Sequence, residues 1–423
     1  MAHITFKFLK KISFFEVSFS SFVVKILSFF IVVLLSRILT TTEIGLISYV
    51  ESMIRMIAPL LGGGVFYGML IYGAKFKKLV PSILRQSLSL SFYINSLIIF
   101  FVAIFMFFYT FAFNDSKVLF VILLIAAIIK NYQEIFYSFI RSLKKNNIYA
   151  KFLIAQAFLS LTLIVSLSYY HDVYGYGIGV MLSSLIILLT IYSYLKGLGK
   201  GFLSRKQKKY INKLLLTKSI GASITGFFSS LLYSIDIFLI SILLLSETLT
   251  SQYYIATLIP LNISFVTLAA MTAFFPYISE NFNNKTFLAN TYFKFLKYSF
   301  VFALFVVILL VNISDFVIPF LFGESYLGSI TSFNYLLIGA TFGASFRIVS
   351  GNYLAALGYV KENMYIAIFS IMLNVVLNYY LILKYGIEGA AISTAIVLAV
   401  SGFLGFFLII TKIKTHKLQR LVE

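Results

Sequence analysis

Three basic side chains lie deep inside apolar segments of this chain, where a charge is unfavourable. Lys25, Arg55 and Lys130 each lie about eight to twelve residues, ~12 to 18 Å of helix, from the end at which their segment begins. A Lys or Arg at the centre of a bilayer costs ~2.5 to 3.5 kcal/mol on insertion scales, so it normally faces a partner or a water-filled cavity. The three positions therefore predict a cationic cavity inside the membrane.

Nearby carboxylates leave a second interpretation open for two of these residues. Glu51 and Arg55 are four residues apart, and so are Lys130 and Glu134. Oppositely charged side chains at this spacing can pair along one face of a helix. Each pair could therefore be purely structural. Lys25 has no acidic residue within pairing distance in its own segment, which favours a role in a cavity or across helices.

Asp236 is the corresponding ionisable residue in the second half of the chain. It lies in the outer half of an apolar segment and has no basic residue within pairing distance along it. An isolated carboxylate in a membrane helix is a candidate proton or cation site that would link an ion gradient to a conformational change. Glu51 and Glu134 are further candidates for this role. A structural ion pair of Asp236 with Arg37 or Arg55 is the alternative.

Helix-breaking residues interrupt two of the apolar segments. Pro59 is followed by Gly62, Gly63 and Gly64 in the second segment, and Pro260 lies in the eighth. Interrupted helices at corresponding places in two halves often mark transport sites, because the freed carbonyl groups must face protein or water. Both positions are therefore candidate hinges, with an ordinary proline kink as the alternative for each.

Long apolar segments position these residues. Hydrophobic residues make up 61% of the 423 residues and charged residues only 11%, which is typical of a polytopic membrane protein. Each segment can cross ~30 Å of hydrocarbon as a helix. The sequence predicts twelve transmembrane helices and an all-α fold. The segments are 17–39, 44–72, 82–113, 118–140, 148–169, 174–195, 219–245, 252–276, 298–320, 327–349, 363–383 and 389–411.

Basic residues fall on alternate sides of these segments. Most of the 34 Lys and Arg residues lie in the two tails and in every second connection. Because Lys and Arg favour cytoplasmic loops, both termini are predicted to be cytoplasmic. The formal net charge of +20 then faces anionic lipid headgroups, so nucleic acid is not an expected partner. Lys7, Lys10 and Lys11 precede an apolar run too long for a cleaved signal peptide, so the first segment is expected to remain.

Catalytic and metal-binding constellations are not expected. Cysteine is absent, and His3, His171 and His416 are scattered over two tails and an external connection. No metal or cofactor is therefore predicted. The predicted external connections are too short for an extramembrane catalytic domain. The chain is thus not expected to be an enzyme.

Features of the first half of the chain recur in the second half. Lys145–Tyr149 (KNNIY), at the start of the fifth segment, resembles Lys361–Tyr365 (KENMY) at the start of the eleventh. Tyr174-Gly175, opening the sixth segment, resembles Tyr385-Gly386 before the twelfth. Each half holds six segments, so both halves enter the membrane in the same orientation. They are predicted to be parallel repeats.

Domain boundaries follow from this repeat. Residues 1–196 and 219–423 are predicted to form two six-helix bundles. Residues 197–218 contain several glycines and the run Arg205–Lys209 (RKQKK), which is typical of a flexible basic cytoplasmic linker.

Six stretches of the chain carry recognisable motifs: Leu35–Leu46 (LSRILTTTEIGL), Ser234–Asp236 (SID), Leu321–Tyr326 (LFGESY), Ala355–Lys361 (AALGYVK), Asn374–Asn378 (NVVLN) and Tyr385–Ala391 (YGIEGAA). Together they resemble the polysaccharide-exporter family of O-antigen repeat-unit flippases. The bend between the first two segments is similar to the N-terminal signature of that family, and the late stretches are similar to its Gly-x-x-Lys, Asn-rich and Gly-x-x-Gly-Ala-Ala signature. The resemblance spans nearly the whole chain.

This resemblance implies the multidrug, oligosaccharidyl-lipid and polysaccharide exporter superfamily, in which two bundles form a V around a central cavity. Its implied function is to move undecaprenyl-diphosphate-linked oligosaccharides, the repeat units of O-antigen or capsule, from the inner to the outer leaflet of the bacterial cytoplasmic (inner) membrane by alternating access. A diphosphate cannot cross hydrocarbon unaided, so Lys25, Arg55 and Lys130 would bind it while the lipid tail stays in the bilayer. A polysaccharide polymerase and a chain-length regulator would be the partners.

Three alternative functions remain. An ion-coupled multidrug antiporter of the same superfamily would use carboxylates as ion sites, and Asp236, Glu134 and Glu51 are available. A lipid II flippase also carries basic residues in early spans, but this chain lacks a charge within its eighth segment and an extra pair of C-terminal helices. A polysaccharide polymerase would need a large external loop, which the predicted topology does not provide.

Overall fold

The computed structural model describes residues 14–197 and 209–415, which fold almost entirely into helices and contain no strand. The prediction of an all-α fold is confirmed. The α-helices in these ranges are α1 (Phe14–Ile38), α2 (Thr41–Ile57), α3 (Val65–Lys75), α4 (Val80–Phe108), α5 (Ser116–Ser142), α6 (Asn146–Gly197), α7 (Lys209–Leu244), α8 (Glu247–Leu258), α9 (Ser264–Glu280), α10 (Lys285–Asn312), α11 (Ser314–Phe322), α12 (Ile330–Phe342), α13 (Ile348–Ala356) and α14 (Val360–Thr415).

Nine helical stretches within the described ranges are long and apolar enough to cross a membrane. Two of these, α6 and α14, turn back on themselves, at Asp172 with a φ of 48° and at Gly386 with a φ of 58°. Each therefore supplies two crossings. The run from α12 to α13, joined through the π turn Gly343–Arg347, supplies another. Together these elements form the twelve crossings that the sequence predicts.

The two hairpin turns place glycines where the helices approach each other most closely. A Cβ at Gly175 would lie 2.0 Å from the carbonyl oxygen of Leu167, and a Cβ at Gly389 would lie 2.0 Å from that of Leu381. Both glycines follow the residue with positive φ by one turn. Gly175 is thus the structural counterpart of Gly389, whereas the sequence comparison paired it with Gly386. A match of only two residues aligns the two halves of the chain no more closely than to within a helical turn.

The ninth and tenth crossings show how the boundaries in the structure differ from the predicted ones. The ninth, predicted at 298–320, is α10, which begins at Lys285 because the Asn284 side chain accepts a hydrogen bond from the Phe287 amide at 3.0 Å. Exposed lysines in its first turns lowered the apolar signal of the sequence. The tenth, predicted at 327–349, continues to Ala356. Arg347, two residues before the predicted end of this crossing, therefore lies well inside it.

The connection between the halves is only partly described. Residues 198–208 of the predicted linker lie outside the described ranges, as do residues 1–13 with His3 and residues 416–423 with His416. Residues 209–218 form the first turns of α7. The described chain divides into two compact units between Ser230 and Leu231, within α7. The domain boundaries proposed from the sequence stay predictions.

Each unit has its own apolar core. In the first unit, side chains from α3 to α7 pack around Ile83, Phe136 and Ile191. In the second unit, side chains of α9, α10, α13 and α14 pack around Met271 and Tyr353. These cores fix the helices that carry the charged residues.

Candidate functional site: a charged cavity in the first unit and a carboxylate network in the second

The first unit contains a cavity of about 840 Å³. Helices α2, α3, α5, α6 and α7 form its wall, together with the 3-10 turn Ala58–Gly64 that interrupts the second crossing. This volume lies within the ~300 to 1,000 Å³ that is usual for small-molecule sites. Four ionisable residues and three serines contribute to the wall: Glu51, Arg55, Lys130, Glu134, Ser223, Ser229 and Ser230.

Glu51 and Arg55 form an ion pair on the cavity wall. Arg55 Nη2 donates to Glu51 Oε2, and the hydroxyl of Tyr176 on α6 donates to Glu51 Oε1. The i, i+4 pairing that the sequence left open is therefore formed. Arg55 nevertheless remains 47% exposed, against 23% for Glu51. Its guanidinium can still meet a ligand in the cavity.

Lys130 and Glu134 do not form the corresponding pair. Both side chains are exposed on the cavity wall. Ion pairs shorter than 4.0 Å join Arg55 to Glu51 and Lys412 to Glu362 in the described ranges, and neither pair includes Lys130 or Glu134. The ammonium group of Lys130 is thus directed into the cavity without a carboxylate in contact.

The four charges on this wall sum formally to zero, because two acids and two bases contribute. The sequence predicted a cationic cavity instead. Lys25 is exposed on α1 and is not among the residues that line this cavity. The structure therefore brings Arg55 and Lys130 together with Glu51 and Glu134.

A polar cluster stabilises the helix break beside the cavity. Gly62, Gly63 and Gly64 all have positive φ angles, near 60°. The Gly62 amide donates to Asn95 Oδ1 at 2.7 Å, and Asn131 Nδ2 donates to the Leu61 carbonyl at 3.0 Å. These buried bonds satisfy the backbone groups that the break frees. Because Asn131 follows Lys130 directly, the same cluster positions the lysine.

Sequence reasoning missed this cluster. Ser91 completes it, since its hydroxyl donates to Asn131 Oδ1 at 2.6 Å. The available signal was the pair of asparagines, Asn95 and Asn131, in two predominantly apolar segments. A buried amide in a membrane helix needs a partner, and the interrupted second crossing supplies one.

Helix α7 packs against the same break. The hydroxyl of Ser223 donates to the carbonyl oxygen of Pro59 at 2.6 Å. Gly226 lies so close that a Cβ there would be 3.2 Å from the Pro59 ring. Pro59 itself lines the cavity. The break predicted as a hinge is thus held by contacts on two sides.

Asp236 lies in a hydrogen-bond network of the second unit. It is 6% exposed, and its carboxylate accepts hydrogen bonds from Tyr253 at 3.0 Å, from Asn378 and from Thr394. Asn378 also donates to Asn374 Oδ1 at 3.0 Å. These partners come from α7, α8 and both arms of α14. Within the second unit, neutral side chains donate to the carboxylate, and an ion pair of Asp236 with Arg37 or Arg55 stays a prediction.

A void of about 20 Å³ adjoins this network. Asp236, Tyr253, Asn374 and Thr394 contribute oxygen atoms to its wall. The amide oxygen of Asn378 is buried nearby and accepts no hydrogen bond within the described structure. Carboxylate, amide and hydroxyl oxygens are the ligands that hard cations prefer, and the volume is sufficient for one ion or water.

The second predicted helix break, at Pro260, lies in the 3-10 turn Pro260–Asn262 between α8 and α9. It lines a separate void of about 30 Å³ together with Arg347 and Tyr233. The structure thus interrupts the crossings at both predicted prolines. That either break acts as a hinge stays a prediction.

Together, the helical crossings and the buried polar sites define a multi-pass membrane protein. No family model matches the chain. It is similar to an uncharacterised membrane protein of Methanocaldococcus jannaschii, with 37% identity over 81 residues that cover 19% of each chain.

Similar solved structures cover nearly the whole chain. The inward-facing conformation of a multidrug resistance MATE family transporter of the MOP superfamily has a TM-score of 0.77 at 16% identity, covering 94% of this chain and 96% of that one. An outward-facing conformation has a TM-score of 0.65 at 18% identity, covering 97% and 96%. A MOP superfamily transporter from Pyrococcus furiosus, described as having a binding pocket of reverse polarity, has a TM-score of 0.62 at 16% identity, covering 96% and 94%. The chain has the fold of these transporters.

Proposed function

We propose that this protein moves polyprenyl-diphosphate-linked oligosaccharides across the cytoplasmic membrane by alternating access. Undecaprenyl diphosphate is the carrier that the sequence resemblance implies, and repeat units of O-antigen or capsule are the implied sugars. The fold supports a transporter, since similar structures exist in inward-facing and outward-facing conformations. Both termini are proposed to be cytoplasmic, and a polysaccharide polymerase is the proposed functional partner.

Lys130 is the observation that carries this proposal. It presents an ammonium group to a cavity within the membrane crossings, and no carboxylate contacts it within the described ranges. A charged residue at such a depth normally serves a substrate or ion pathway. Arg55 lies on the same wall with nearly half of its side chain exposed. A diphosphate can therefore contact both cations.

The cavity volume limits which part of the cargo enters. About 840 Å³ accommodates a diphosphate and the first sugars, but not a polyprenyl chain as well. The lipid tail would remain in the bilayer. Hydroxyl groups of Ser229, Ser230 and Thr225, also on the wall, are suitable hydrogen-bond partners for sugar hydroxyls.

Asp236 is the proposed coupling site. The side chains of Asp236, Thr394 and Asn374 line a space for one small cation, and the neighbouring amide oxygen of Asn378 is buried without a hydrogen bond in the described structure. Binding of a cation there would neutralise a buried charge and change the hydrogen bonds that join α7, α8 and α14. An ion gradient could thus favour one conformation.

An ion-coupled multidrug antiporter is the second candidate function. Two carboxylates, Glu51 and Glu134, lie on the cavity wall, and the formal charge of the wall is zero. A cationic drug would bind the exposed carboxylate of Glu134 rather than Lys130. The flippase function would therefore depend on Lys130, and the antiporter function on Glu134.

Paired variants separate the two candidates. Lys130→Gln and Glu134→Gln remove opposite charges one helical turn apart, so each serves as the matched control for the other. If the cargo is an anionic diphosphate, Lys130→Gln abolishes surface polysaccharide in a host that depends on this protein, whereas Glu134→Gln retains it. Protein abundance in the membrane should be similar for both. Full surface polysaccharide with Lys130→Gln, together with loss of drug resistance in Glu134→Gln, would favour the antiporter.

A further inference from the structure

We propose that the second unit binds one small inorganic anion, of the size and charge of chloride, beside the guanidinium of Arg347. This site is separate from the cavity of the first unit and adjoins the void at Asp236, with which it shares Tyr233, Leu261 and Leu398 on its wall. The proposal does not depend on the identity of the cargo.

Arg347 lies inside a helical run, where a cation needs compensation. It is the last residue of the π turn Gly343–Arg347, and α13 continues for about nine residues, ~14 Å, beyond it. Its side chain is half-buried. Ionisable residues inside membrane helices usually face a partner or a ligand pathway. The surroundings of the guanidinium therefore decide its role.

Protein groups leave most of this guanidinium without an acceptor. A guanidinium has five N–H donors. Arg347 Nη1 donates to Asn363 Oδ1 at 3.0 Å, and this is the hydrogen bond that the guanidinium makes within residues 14–197 and 209–415. No carboxylate lies within 4.0 Å of it in those ranges. An anion would satisfy the remaining donors and the charge together.

A void of about 30 Å³ lies against Arg347. Tyr233 and Ser264 contribute hydroxyl-bearing side chains to its wall, and the remainder is apolar or small, including Pro260 and Ala344. No acidic residue lines it. A space that holds a water molecule also holds a single-atom anion. The guanidinium and the small volume together suit a small anion.

Electrostatics favours an anion over a water molecule in this void. Water would hydrogen-bond to the guanidinium but leave its charge uncompensated in a poorly solvated region. The hydroxyl of Tyr233 can also donate to an anion, whereas the Ser264 hydroxyl donates to the Leu261 carbonyl at 3.2 Å. The neighbouring void at Asp236 has the reverse composition, with a carboxylate and no basic residue on its wall. The unit thus has separate places for an anion and a cation.

Halide-dependent stability tests this site. The protein has no tryptophan and no cysteine, so thermal unfolding in detergent is best followed by far-UV circular dichroism. Sodium chloride or bromide is compared with sodium gluconate at equal ionic strength. A saturable rise in Tm, on the order of 2 °C at ten times the Kd, is expected for the wild type. Arg347→Gln should abolish the rise, and Ser264→Leu should abolish it by filling the void. Arg37→Gln, an exposed arginine on α1, is the matched control and should keep it.

Bromide-soaked crystals of the wild type give a second readout that needs no variant to fold. An anomalous peak beside the Arg347 guanidinium is expected. An equal halide-dependent rise in Arg347→Gln, a rise with phosphate but not with halides, or the absence of a bromide peak at Arg347 would each overturn the proposal.

Discussion

Replacing Gly62 by alanine tests the rigidity of the helix break that borders the cavity. Gly62 has a φ of 59°, and a Cβ there would lie 2.6 Å from both Asn131 Oδ1 and Ser91 Oγ. The left-handed backbone costs alanine ~1 to 2 kcal/mol. Displacing Ser91 and Asn131 disrupts two or more buried hydrogen bonds worth ~1 kcal/mol each. The free energy of unfolding should therefore fall by about 3 to 5 kcal/mol.

Gly221→Ala is the matched control for this substitution. Gly221 lies in α7, and a Cβ there meets no atom within 4 Å. Alanine should stabilise this helical position by up to ~1 kcal/mol. Both variants are compared by SDS titration of the detergent-solubilised protein, with helicity followed by far-UV circular dichroism.

A double variant tests the proposed contact directly. Ser91→Ala removes one of the two atoms that clash with the new Cβ, so Gly62→Ala with Ser91→Ala should destabilise by less than the sum of the single changes. A stability of Gly62→Ala within ~0.5 kcal/mol of the wild type would refute the reasoning, because it would mean that the break adjusts freely.

Three further predictions concern the charged groups and the cavity. Tyr176→Phe removes a hydrogen bond to the Glu51 carboxylate and should lower the free energy of unfolding by ~1.5 to 3 kcal/mol in the same SDS titration; an unchanged value would contradict the contact. Asp236→Asn should keep normal membrane abundance but make transport in vesicles independent of the ion gradient, and a retained gradient dependence would exclude the coupling role. A single cysteine at Ser229, on the cavity wall of a chain without native cysteine, should react with an impermeant maleimide at a rate that changes when a gradient is imposed. A constant rate from either side of the membrane would argue against alternating access.

Apolar length and helix breakers were enough to predict the architecture. The crossings follow from hydrocarbon thickness, and both interruptions follow from proline and glycine. The start of α10 was harder to predict from the sequence, because lysines share its N-terminal turns with the apolar residues. A hydropathy pattern records the average of a segment, whereas Asn284 and its hydrogen bond determine where the helix begins.

The arrangement of the sites was harder to predict, since it depends on contacts between helices. Glu51 pairs with Arg55, but Lys130 and Glu134 at the same spacing remain apart. Tyr176, a residue of α6, adds a hydrogen bond to Glu51 from a neighbouring helix. Spacing along one helix defines which pairs are possible. Neighbouring helices decide which of them form.

Arg347 illustrates the same limit. An arginine near the end of an apolar run is expected to extend to the membrane interface. The structure continues the helix beyond it through a π turn, so the guanidinium faces a void within its unit. The hydropathy of the sequence does not show the packing contacts that extend the helix.

Flipping of a defined lipid by purified protein tests the central claim most directly. Proteoliposomes receive a fluorescent polyprenyl-diphosphate-linked oligosaccharide, and an impermeant quencher reports how much of it becomes exposed on the outer leaflet. Protein-dependent flipping is expected for the wild type and for Glu134→Gln, with loss in Lys130→Gln at equal reconstitution. No flipping by the wild type, or equal flipping by Lys130→Gln, would contradict the account.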